Sequence, residues 1–164
     1  MVLHLSKYKQ RHVLLKTYPF QKELVDAIEI IRRTGFVDVQ LSVLGKLDDF
    51  NLEDSRQSLI KKENLKTFWR QTLGSSAEFG FFSNPELGTM YIVGPLITTF
   101  LHDVEGTKLG ALSSGPYGIL RGLGIAAEKA SEYIKFLDKG GFLLILRGYD
   151  KDLKRLGDEL FSLS

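Results

Sequence analysis

The segment "FLLIL", residues 142–146, has no polar residue on either side of a strand. Successive side chains of a strand point to opposite faces, so Phe142, Leu144 and Leu146 point one way and Leu143 and Ile145 the other. Burying one aliphatic side chain is worth about 1.5–3 kcal/mol, and a strand that is apolar on both faces is one that is covered on both. Any fold for this chain must therefore place a layer on each side of residues 142–146. The layers come from the chain itself or from a second subunit.

The rest of the chain supplies elements for those layers. "HVLLKTY" (12–18) reads as a strand stopped by Pro19, a residue allowed in a first helical turn but not in a central strand. In "PFQKELVDAIEIIRRTG" the residues Phe20, Leu24, Ile28 and Ile31 recur at helical spacing, and Gly35 is placed to end the helix. "VDVQLSVLG" alternates Val39, Leu41 and Val43 against Asp38, Gln40 and Ser42, the period of a half-buried strand. Further on, Ala127, Ala130, Ile134 and Leu137 mark a second amphipathic helix that ends at Gly140 and Gly141, and a short polar helix follows from about Asp150 to Leu160. The plan helix, glycine, phenylalanine, strand, glycine occurs in both "RRTGFVDVQLSVLG" and "LDKGGFLLILRG", an internal echo of the kind that marks related halves.

Between these parts, "NLEDSRQSLIKKENLKTFWRQTLG" reads as a helix with Leu59, Phe68, Trp69 and Leu73 available for burial. "EFGFF" and "TMYIVG" flank the turn signal "SNPELG" and read as a hairpin. The expected fold is α+β: a single ferredoxin-like β-α-β-β-α-β domain over residues 1–164, with a helical and glycine-rich insertion at about 46–122. In such a sheet the last strand lies at an edge and one face has no helices. Leu143 and Ile145 would then need cover from the insertion or from a second subunit, which favours a homo-oligomer, a dimer first, with the insertion sharing the cover.

The stretch "GTKLGALSSGPYGILRGLGIAAEKA" (106–130) raises a separate choice between packing and binding. Gly106, Gly110, Ser114, Gly118 and Gly122 are each four residues apart and would form one small-residue stripe on a helix, allowing another backbone to approach. Pro116 breaks a single continuous helix into two near Ser114 and Gly115. "GLGIAA" (122–127) fits G-x-G-x-x-A before a helix, but no strand precedes it and the chain left over is too short for a doubly wound sheet. Packing is preferred. A weak anion site at Gly124 and Ile125, helped by Arg121 and Arg147, is the binding alternative.

Composition removes several classes of chemistry. With no cysteine there is no disulfide framework, thiolate nucleophile or cysteine-held metal. Net charge is only +2, from 22 basic and 20 acidic residues, and the cluster Lys7, Lys9 and Arg11 is small, so nucleic acid is not an expected partner. "MVLHLSKYKQR" lacks the apolar run of a signal peptide, and no stretch approaches the roughly 20 apolar residues of a membrane span, so the expectation is a cytoplasmic protein without stable membrane insertion. His102, Asp103 and Glu105 match no metal cage and read as a polar loop, so no metal or cofactor is expected. Asp48, Asp49, Glu53 and Asp54 suit a helix N-terminus, Ser113 and Ser114 are not in a nucleophile elbow, and Trp69, Phe79, Phe81 and Phe82 read as core. No catalytic residues are assigned.

"ELGTMYIVGPL" followed by "GLGIAAEKASEYIKFLDKGGFLLILRG" resembles the bacterial general-stress, or heat- and low-temperature-induced, proteins, a family of unknown biochemical function. The matching positions are Gly94, Pro95, Leu96, Leu123, Gly124, Ile125, Glu128, Gly140 and Gly141. The resemblance spans about residues 12–148 and is specific after Glu86; the family's usual alanine and glycine run is replaced here by "FWRQTLGSSAEFGFFSNPELG". These motifs are structural and carry over no catalytic residue. The resemblance implies a non-enzymatic, stress-associated protein that acts through self-association or partner binding. The alternative is a small-ligand sensing domain for an anion or metabolite.

Overall fold

The computed structural model describes residues 10–35, 38–47 and 55–161. Strand β1 (Arg11–Tyr18) stops before Pro19, and α1 (Gln21–Thr34) is closed by Gly35 in the left-handed conformation. The chain continues through β2 (Gln40–Lys46), α2 (Ser55–Leu73), β3 (Phe79–Asn84), β4 (Gly88–Val93) and α3 (Ile97–Phe100). A two-strand ribbon, β5 (Asp103–Val104) and β6 (Thr107–Lys108), leads through a 3-10 turn at Leu109–Ala111 into α4 (Gly115–Gly122). Helix α5 (Ala127–Asp138), β7 (Phe142–Tyr149) and α6 (Asp150–Phe161) complete the described chain.

The main sheet has the order β1-β7-β2-β4-β3, with every neighbouring pair antiparallel. Strands β1 and β2, joined through α1, leave a gap that β7 fills; β4 and β7 leave a gap that β2 fills. The class is α+β, as expected, and the hairpin of β3 and β4 stands where "EFGFF" and "TMYIVG" place it. The ferredoxin-like arrangement is not confirmed. Its last strand should lie at an edge, whereas β7 is paired on both sides, with β1 and with β2.

Both faces of this sheet are covered by helices of the same chain. On one face Leu24, Ala27, Ile28 and Ile31 of α1, Trp69 of α2 and Leu153, Leu156 and Leu160 of α6 pack with Val43, Tyr91, Val93, Leu144 and Leu146. On the other, Phe100, Ile119, Leu120, Ala130 and Leu137 from α3, α4 and α5 pack with Leu44, Met90, Ile92, Leu143 and Ile145. Helices α1 and α5, expected on one side, thus lie on opposite sides. Leu143, Leu144 and Leu146 have no exposed surface and Ile145 only 1%. The two-sided cover that β7 requires is supplied within one chain, by α1 and α6 on one face and chiefly by α5 on the other, so its burial no longer calls for a second subunit.

Three local expectations change with this architecture. Ser42, read as solvent-facing, is buried because its face is also covered, and its hydroxyl accepts the Leu96 N–H at 3.1 Å. Leu59 is 61% exposed rather than buried, since α2 reaches the sheet through its later turns. The last helix is amphipathic, not merely polar, because Leu153, Leu156 and Leu160 recur at helical spacing. Replacing Leu143 with Glu places a carboxylate in an apolar layer. The variant should be largely unfolded by circular dichroism, and equally so from low to high micromolar concentration, because the cover is intramolecular. Rescue by raising the concentration would show that a second subunit supplies it.

Candidate binding surface at the open edge of the sheet

The glycine-rich segment is divided among a hairpin loop, a short strand, a 3-10 turn and two helices, so its four-residue spacing has no single helix to run along. Gly106 and Glu105, both with positive φ, form the two-residue loop between β5 and β6, as hairpin turns of the primed types require. Gly110 lies in the 3-10 turn, Ser114 immediately precedes α4, and Gly118 and Gly122 lie exposed on α4 with open space where a Cβ would project. Only Gly110, of the predicted stripe, is at a close approach: a Cβ there would lie 3.0 Å from the Phe100 carbonyl oxygen and 3.0 Å from the Phe82 ring. Gly115, outside the stripe, abuts the Leu109 carbonyl still more closely.

What holds this segment to the sheet is a residue whose role no sequence motif announces. Asn84, 3% exposed at the end of β3, donates from its Nδ2 to the carbonyls of Gly110 and Leu112 at 3.0 and 2.9 Å. Its Oδ1 accepts the N–H groups of Glu86 and Leu87 at 2.9 and 3.0 Å. The amide thereby uses two donors and two acceptor positions. The only signal in the sequence is Asn before Pro in "SNPELG", which reads as a turn and not as a clamp.

The predicted anion set is divided by the fold. Gly124 and Ile125 lie in the loop between α4 and α5, and the Arg121 guanidinium donates to the Ile125 carbonyl at 3.0 Å, so that cation is engaged by the backbone of this loop. Arg147 lies on β7, across from Val13 and Gln40, and not in this loop. None of the four residues lines the clefts beside Tyr117, Tyr18, Leu73 or Phe68. The Asp103 carboxylate accepts the Gly106 N–H at 3.3 Å, which engages it in the β5–β6 loop. Among the described residues no group of three or more His, Asp or Glu is arranged to hold a metal ion, and no helix is long and apolar enough to cross a membrane. Trp69 is fully buried and Phe82 nearly so, whereas Phe79 and Phe81 are half-buried. Lys7, Lys9, Asp48, Asp49, Glu53 and Asp54 lie outside the described residues; Arg11 begins β1, its guanidinium 5.8 Å from the Tyr149 ring centroid.

The two edges of the sheet differ. At β3 the Lys108 ammonium donates to the Phe81 carbonyl at 3.1 Å, and the Asn84 clamp brings the 3-10 turn alongside. At the opposite edge, the eight-residue strand β1 has no strand partner on its outer side among the described residues. A cleft of about 660 Å³ follows this edge from Leu15 to Tyr18. It is lined by Glu23 and Asp26 of α1, Leu160 and Phe161 of α6, and Tyr133 of α5. Since α1 and α6 lie on one face and α5 on the other, the cleft straddles the edge. Phe161 is 76% exposed, and Phe20, just beyond the strand, is 66% exposed. Burial, and then the nearby Glu23 carboxylate, push the Tyr18 phenol above its ordinary value, so it remains a neutral donor.

No family model, curated protein or solved structure matches the chain.

The contrast between Gly110 and Gly118 gives a direct test of the packing geometry. Gly110→Leu should destabilise the protein by about 1–3 kcal/mol through overpacking. Gly118→Leu, at an exposed helical position, should be neutral or stabilising by up to about 1 kcal/mol. Asn84→Ala should cost about 2–4 kcal/mol by leaving buried backbone groups unpaired. Denaturant melts of the three variants measure all of these differences.

Proposed function

We propose that the protein is a non-enzymatic, cytoplasmic, stress-associated protein that works by self-association, two copies pairing through β1. The observation that carries this reading is the open edge of β1 with its straddling, aromatic-rimmed cleft. An edge strand presents a row of unpaired N–H and C=O groups, a template for another strand, and natural sheets usually blunt or cover such rows. The β3 edge is treated in that way by Lys108, whereas of the four β1 residues that line the cleft, Leu15 to Tyr18, Lys16 alone is charged. Pairing two copies of β1 about a two-fold axis uses both open edges and closes the assembly, which further addition of strands would not do.

Register follows from the side chains. Directly opposed residues in an antiparallel pair share a face, and opposed like charges are unfavourable. Pairing centred on Lys16 is thereby disfavoured. Pairing centred on Leu15 sets Lys16 across from Leu14 of the partner subunit and Thr17 across from Val13 of the partner subunit. The acidic Glu23 and Asp26 beside Lys16 give the cleft both signs of charge, which suits contact with a copy of itself.

Sedimentation or light scattering at about 1–100 µM tests the reading. The expected mass is twice the 18.5 kDa of the chain. Thr17→Lys changes a position that is exposed in the single chain and should yield a folded monomer. A parental protein that stays monomeric throughout that range, or a Thr17→Lys variant that dimerises as well as the parent, would overturn edge pairing.

A further inference from the structure

We propose that the slot between α2 and the sheet is a binding site for a small, planar aromatic carboxylate. The slot originates at Gly45. On the face beneath α2, Tyr91 stands opposite Phe81 on one side and Gly45 on the other, and Phe142 stands opposite Tyr18. One cross-strand row would therefore be aromatic throughout but for the glycine on β2. A Cβ at position 45 would come within 2.6 Å of the Tyr91 hydroxyl and ring, so the phenol leans into space that a side chain would otherwise take. The remaining space, about 440 Å³, is walled by Tyr91 and Phe142 and roofed by Leu65 and Phe68 of α2.

Three properties distinguish this slot from a packing defect. Three rings, Phe68, Tyr91 and Phe142, stand in its lining and can take a planar ring by stacking or edge contact. Two buried polar atoms, the hydroxyl of Tyr91 in its lining and the indole nitrogen of the neighbouring Trp69, have no hydrogen-bond partner. The indole N–H lies near the phenol without completing a hydrogen bond. Unpaired buried groups are costly and rare in native interiors. A polar atom brought in by a ligand would offset that cost. Finally, among the described residues the lining carries Lys61, Gln21 and Asn64 and no carboxylate; Lys46 also borders it, but its ammonium meets Asp138 of α5 at 3.5 Å. Burial holds the Tyr91 phenol protonated through the ordinary range of tyrosine, so it faces an incoming anion as a donor.

This inference does not rest on pairing of β1, because the slot lies within one chain. The protein has a single tryptophan, and Trp69 lies 6.2 Å from Tyr91 between ring centroids, so its emission reports on the slot. Phenylacetate and the neutral phenylacetamide serve as probes, titrated into the full chain and into the Thr17→Lys variant alike. Phenylacetate should change the emission saturably with half-saturation below about 1 mM, and phenylacetamide should bind about tenfold more weakly. Tyr91→Phe keeps the ring and removes only an unpartnered hydroxyl, so it should melt no lower than the parent yet bind phenylacetate about tenfold more weakly. Lys61→Gln should reduce the difference between the two probes. No saturable change with either probe at about 10 mM, equal binding of the two by the parent, or undiminished binding by a folded Tyr91→Phe would each overturn the assignment.

Discussion

The two-sided burial of β7 governs the arrangement of everything else. Four consecutive residues, Leu143 to Leu146, are at most 1% exposed, and each contributes about 1.5–3 kcal/mol. That contribution is large against a total stability of about 5–15 kcal/mol for a domain. A strand of this kind at an edge, or on a sheet with one bare face, would forfeit part of it. Placing β7 between β1 and β2 and dividing the helices between the faces keeps all of it. The strand order and the separation of α1 from α5 are two consequences of one requirement.

The same requirement explains the work of the chain between β2 and α5. A sheet covered on both faces needs more helix than α1 and α5 provide, and the chain between β2 and α5 supplies α2 to one layer and α3 and α4 to the other. Short helices joined by turns have to be fixed to the sheet by something other than their own length. Asn84 does this for the glycine-rich segment by joining the β3–β4 turn to the carbonyls of Gly110 and Leu112. With that attachment in place, Gly110 and Gly115 are close because the backbone must pass near Phe100 and Leu109, while Gly118 and Gly122 face open space. Of packing and binding, the two roles open to the glycine stretch, packing applies to individual glycines rather than to a stripe.

Local elements were legible in the sequence because local patterns encode them. The helix period of Leu24, Ile28 and Ile31, the stop at Pro19 and the hairpin signal "SNPELG" all depend on residues close in the chain. The sequence pattern of "FLLIL" also stated that both faces would be covered. Strand order was not legible, since β7 between β1 and β2 and β7 at an edge use the same local signals. Ser42 looked solvent-facing for the same reason: its neighbours on the second face, around Leu96, are distant in sequence. The open edge of β1 and the slot at Gly45 both follow from strand order, so neither was accessible from periodicity. Arg121 and Arg147 illustrate the converse, two cations that sequence proximity to a glycine motif grouped and that the fold assigns to a helix end and a strand.

The cleft at β1 and the slot beneath α2 are neighbours through one cross-strand pair. Tyr18 lines the cleft, Phe142 lines the slot, and the two residues are directly opposed across β1 and β7. Opposed side chains on one face lie within packing distance, about 4.5–5.5 Å between Cβ atoms. A ring inserted beside Phe142 and a strand added beside Tyr18 thus press on the two sides of the same contact. Close-packed interiors transmit such displacements because they contain little space to absorb them. If both sites are occupied, any change one makes in the other's affinity must be reciprocal, since linkage between two binding equilibria has a single coupling free energy. Thr17 lines the cleft and not the slot, and Tyr91 lines the slot and not the cleft. Phe142 and Tyr18 belong to the contact between them, and it is there that self-association and ligand occupancy would meet.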